Sequence, residues 1–139
     1  RLEQYVKTLD IEAKTLLRMT RTEILPACLR DQSELATSYS RLVEASRALD
    51  LNDAVAPAQG KHLAAIARDV TALLAATDAL EAAIGGLHSQ GSPEAEGRHC
   101  VDALIPAMDA VRELADHLEG RVERAKWPFP TYLDLLFQN

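Results

Sequence analysis

Eight positions constrain this chain more than any other feature. Leu63, Ile66, Val70, Leu73, Thr77, Leu80, Ile84 and Leu87 alternate steps of three and four without an error. That spacing is an a/d seam of period 3.5, which lays one apolar stripe along a helix over 57–87 and requires a partner helix to receive it knobs into holes. A strand cannot use such a pattern, because its side chains alternate with period two. No period-two pattern occurs elsewhere in the sequence either. The apolar share of 47% is largely alanine and leucine with only 4% aromatic residues, a composition suited to helices.

Helical periodicity extends to both sides of the seam. Over 2–51 the inward positions are Val6, Leu9, Ala13, Leu16, Ile24 and Ala27, followed by a seven-residue repeat at Cys28, Leu35, Leu42 and Leu49 that Tyr39 and Val43 widen. Pro26 lacks an amide hydrogen and crowds the carbonyl four residues back, so a kink or two abutting helices is expected there. The break around Asn52 and Asp53 leads to Pro57, a residue suited to a helix first turn. Gly85 and Gly86 weaken the end of the second helix, and 88–91 form a turn. Ser92 then reads as an N-cap, with Pro93 at the first helical position and Glu94 and Glu96 complementing the helix dipole. A third helix, 93–126, turns Cys100, Leu104, Ala107, Val111, Leu114, Leu118 and Val122 inward and contains Pro106.

The expected fold is therefore all-α: an antiparallel bundle over 1–126 built of three long helices, about 2–51, 57–87 and 93–126. The first is kinked near Pro26 and can be counted as two. An extended aromatic C-terminal tail over 127–139 docks on the bundle or on a partner domain. Val70, Leu73, Leu80 and Leu114 should be almost fully buried between the second and third helices. At a rise of 1.5 Å per residue the first helix is roughly 75 Å long against roughly 45 to 50 Å for the others. Its first half, up to about Pro26, should overhang the bundle or bend back onto it.

Two surfaces could carry docking. Lys14, Arg18 and Arg21 share one face of the first helix by spacings of four and three, either as a solvated charged face or as a contact for something outside this segment. The tail holds four of the six aromatic residues, Trp127, Phe129, Tyr132 and Phe137. Pro128 and Pro130 keep its start from being helical. So apolar a stretch needs a surface to cover: the end of its own bundle, or another domain or subunit.

Several function classes are excluded or unsupported. A net charge of -6 argues against nucleic acid, since a phosphate backbone calls for clustered positive charge. No window approaches roughly 18 uninterrupted apolar residues, so no membrane span is expected, and no signal-peptide pattern opens the chain. Cys28 and Cys100 read as buried thiols, and the cytoplasm is the expected location. His62, His88, His99 and His117 are scattered. His99 and His117 lie roughly 27 Å apart along one helix and cannot share an ion. Glu96 and His99 have the Glu-x-x-His spacing of di-iron bundles, but no second copy exists. No glycine-rich phosphate loop is present: Gly85 and Gly86 end a helix rather than open one.

The tail also carries a resemblance. Trp127-Pro128-Phe129-Pro130-Thr131-Tyr132, followed by Asp134-Leu135-Leu136-Phe137, resembles the C-terminal signature of type III glutamine synthetases, W-P-[FL]-P-x-Y-x-x-[LM]-L-F. The opening is similar to theirs too: Arg1-Leu2-Glu3-Gln4-Tyr5, Asp10-Ile11-Glu12-Ala13, Glu23-Ile24-Leu25-Pro26-Ala27 and Gln32. The resemblance implies a segment that comes after a β-rich catalytic region. That region joins glutamate and ammonia with ATP and Mg or Mn, through a γ-glutamyl phosphate. The implied partners are this upstream catalytic domain and neighbouring subunits of a homo-oligomer. None of the family's metal, nucleotide or glutamate motifs stands in this sequence, so no catalytic or cofactor residue carries over. The expected role is assembly, or bracing the catalytic body. The alternative is an independent helical oligomerisation or adaptor module, for which the unbroken seam is the best evidence. The helical pattern begins at Leu2 without a capping residue, which suggests an excised domain.

Overall fold

In a computed structural model, residues 1–51 and 55–130 are described. They form α1 (Leu2–Met19), a π-helical turn Thr20–Ile24, α2 (Leu25–Leu49), α3 (Val55–Leu87), α4 (Pro93–His99), a second π-helical turn Cys100–Leu104, α5 (Ile105–Glu119) and a 3-10 turn Arg124–Lys126. The chain is thus three long helices, two of them interrupted by a π turn, and no strand occurs among the described residues.

Both π turns have the same cause. Each precedes an X-Pro-Ala step, Leu25-Pro26-Ala27 in one case and Ile105-Pro106-Ala107 in the other. The Leu25 N–H donates to the carbonyl of Thr20, and the Ile105 N–H to that of Cys100, five residues back rather than four. The extra residue widens the helix where the proline ring would otherwise strike the preceding turn. The expected interruption near Pro26 is therefore a π turn within a passing helix. Pro106 is preceded by the same device.

An inserted residue also shifts the phase of the helix beyond it. Before the second π turn's end the buried stripe is Cys100 and Leu104; after it the stripe continues as Met108, Val111, Ala115, Leu118 and Val122. Leu114, expected to be almost fully buried, is only half-buried, as is Ala107. A strictly α-helical count places them one position out of register.

The central seam needs no such correction. Ile66, Val70, Leu73, Thr77, Leu80, Ile84 and Leu87 are all buried, and only Leu63, near the start of the stripe, is half-exposed. α3 packs along α2 on one side and α5 on the other, while α1 packs on α4 and on α3. The seam is therefore occupied by the chain's own helices, which removes the best evidence for an independent oligomerisation module. By length and overall apolarity α3 would suffice to cross a membrane. Arg68, Asp69, Asp78 and Glu81 interrupt it, and its apolar stripe lies inside the helical core.

Pairings between the first and second helices run in opposite directions. Asp10 meets His88 at 3.5 Å, Arg21 meets Glu81 at 2.8 Å, and the Tyr39 ring lies over Gly60. The third helix ends at Glu119 rather than near Lys126, because Gly120 comes next and the chain turns. His117 and Arg121 both reach Asp69 of α3, at 3.3 and 3.5 Å. Beyond that level α2 and the start of α3 continue as a two-helix arm. The overhang is therefore the second half of the first helix and not the first. Val6 and Ala13 of α1 are buried, whereas along the repeat Cys28, Leu35, Leu42 and Leu49 burial falls away until Leu49 is 68% exposed.

Candidate docking surface

The tail leaves the helices at the base of the arm. Val122 and Trp127 join the apolar core, Trp127 being only 9% exposed, and Phe129 packs half-buried against it. Tyr132 and Phe137, the other two aromatic candidates, lie outside the described residues. The turn Arg124–Lys126 that delivers Trp127 sits on α2. Its amides are closed internally: Lys126 N–H donates to the Glu123 carbonyl at 2.9 Å, and Trp127 N–H to that of Arg124 at 3.2 Å.

Three charged residues that no sequence motif marks fasten this turn. Asp31 occupies a core position, one helical step after Cys28 and one before Leu35, and is 5% exposed. Its Oδ1 accepts the Glu123 N–H at 3.3 Å. The Lys126 ammonium contacts Glu34 at 2.7 Å, Glu123 of its own turn, and Asp31 Oδ1 at 3.8 Å. Hydrogen bonds that Lys126 donates, first to Glu123 and then to Glu34, hold its pKa above the usual lysine range. Two polar atoms here are buried without a hydrogen-bond partner, Asp31 Oδ2 and Trp127 Nε1. The available signal was an acid inside an apolar stripe, a residue type almost never fully buried unless paired.

The basic face is organised differently. Lys14 pairs with Asp10 of its own helix at 2.9 Å. Arg21 makes a two-pronged contact with Glu81 of α3, at 2.8 and 3.0 Å, with Asp78 at 3.5 Å. The Glu81 hydrogen bond raises the Arg21 pKa, and the same bond lowers that of Glu81. Arg18 is exposed. Arg21 and Asp31 are ten residues apart on one helix, roughly 15 Å at 1.5 Å per residue. The tail and the basic face are thus two separate surfaces, and Lys14 and Arg21 already have partners within the chain.

The groups that invite a chemical reading have structural surroundings. Cys28 and Cys100 are free and fully buried. Burial, with a smaller contribution from the Asp31 charge, pushes the Cys28 thiol up to about 11. Burial likewise raises Cys100, away from the thiolate that nucleophilic chemistry uses. His99 Nε2 lies 2.7 Å from the Ala83 carbonyl, and its ring rests on Gly86, where a Cβ would come within 3.0 Å of it. Among the described residues no three His, Cys, Asp or Glu side chains converge as a metal site.

A helical segment with two candidate contact surfaces is the class that the described residues define. Residues 1–43 match a family described as the glutamine synthetase C-terminal domain. Over 138 residues the chain is 32% identical to the type-3 glutamine synthetase of Dictyostelium discoideum, covering 97% of this chain. It is 27% identical, over 98% of its length, to a glutamine synthetase of Bacteroides fragilis (strain YCH46). In each case it spans 18% of the relative's length. The chain is a C-terminal segment of a type III glutamine synthetase.

Proposed function

We propose that this segment is the non-catalytic helical domain of an ATP-dependent glutamate–ammonia ligase, acting in the cytoplasm. Its helices form an antiparallel bundle that braces the upstream catalytic body or joins neighbouring subunits of a homo-oligomer. The tail is the anchor, entering at Trp127 and Phe129 and continuing through Tyr132 and Phe137. ATP and Mg or Mn act in the upstream region, as the resemblance implies.

The observation that carries this reading is where the tail starts. Trp127 is inserted in the core at the junction of the three-helix region and the arm, so the chain beyond it is aimed from a fixed point. An aromatic residue can bury about 150 to 250 Å² and dominate an interface. The test is an assay of the purified 139-residue segment with glutamate, ammonia, ATP and magnesium. No glutamine should form, and measurable turnover would overturn the non-catalytic assignment.

A further inference from the structure

Asp31 is costly where it stands. A carboxylate in an apolar stripe gives up hydration, and replacing such a group by an apolar one is frequently neutral or stabilising. What such groups can supply is registry: one arrangement satisfies them and alternatives do not. Here that arrangement involves one turn, Arg124–Lys126, with its preceding amide on Asp31 and its terminal ammonium between Glu34 and Asp31.

We propose that Asp31, Glu34 and Lys126 form a charge latch that positions the C-terminal tail by fastening the turn after α5 to the middle of α2. They are positioning residues. Trp127 alone could slide among apolar neighbours, since apolar contact is non-directional. Its indole Nε1 makes no hydrogen bond that would fix it. The directional contacts lie instead in the residues just before it. Asp31 receives the backbone of Glu123, and Glu34 the tip of Lys126, so the turn is held at two points rather than one. Of these contacts the pair Glu34–Lys126, whose acid is exposed, would alone contribute little. The buried Asp31 carboxylate makes the loss of either Lys126 or the turn unfavourable, because its charge would be left with fewer partners.

The inference rests on the reading of the tail as an anchor, and hydrogen–deuterium exchange on the full-length enzyme separates the two. In Asp31→Leu and in Lys126→Met, amides over 121–127 should exchange faster by about tenfold or more, the effect of losing charged hydrogen bonds that close one local opening. Exchange in α3 and α5 should not change. Unchanged exchange over 121–127 in both Asp31→Leu and Lys126→Met would overturn the latch. So would equal acceleration throughout α2, α3 and α5, which marks general unfolding. If exchange rises locally while sedimentation shows intact assembly, the latch stands and the anchor reading fails.

Discussion

Single residues show how sharply the seam divides this chain. Leu80 is fully buried on α3, while its neighbour Glu81 is exposed and ion-paired to Arg21. Leu80→Ala should cost about 2 to 5 kcal/mol, through lost transfer energy and the cavity left behind. Glu81→Ala should cost within about 1 kcal/mol, as exposed pairs usually do. Denaturant melts in which the two behave alike would contradict the seam. Cys28 provides a second residue-level test, with a definite sign. Its thiol is raised from 9.0 to about 11 in the folded chain. The stabilising contribution is present below about pH 9 and is lost as pH rises towards about 11, because the unfolded chain releases the proton first. The loss is on the order of 2 kcal/mol. Comparing melts of the unsubstituted chain and Cys28→Ala across that range isolates it: the variant should show the shallower decline. Parallel curves would show that the thiol is not held protonated by burial.

Elements were legible where their periodicity is unbroken and illegible where a proline altered the count. The seam of α3 could be read residue by residue, because thirty-three residues of α-helix keep one phase. The third helix departs from the expected stripe at Ala107 and Leu114, where Met108 and Ala115 are buried instead, while Val111, Leu118 and Val122 keep their expected inward positions. Its end was set seven residues too late because Val122 continues the apolar pattern after the backbone has turned at Gly120. Its beginning was plain: the Ser92 hydroxyl accepts the Ala95 N–H at 3.2 Å, with Pro93 in the first turn. Ser92→Ala should cost about 1 kcal/mol through the lost cap. A melt showing no loss would mean that packing, not the cap, starts this helix. The latch was not legible: nothing in sequence distance links Asp31 to Glu123, and only the fold places them together.

At the scale of the whole molecule, three helices share a core over part of their length and two continue beyond it as an arm. The tail begins where the third helix gives out, latched to α2 and plugged by Trp127. Its first two rings, Trp127 and Phe129, pack on the chain's own core. Of the two outcomes expected for the first half of the first helix, overhang or packing back on the bundle, α1 does not overhang, and the protruding part is the second half. Helix length alone predicts that something protrudes, but which half does so depends on where α5 stops. The most direct measurement is deletion of residues 127–139 from the full-length enzyme, with sedimentation velocity and glutamine synthesis measured on the same preparation. The account predicts weakened assembly or lost activity while the remaining helices stay folded; unchanged assembly, activity and thermal stability would contradict it.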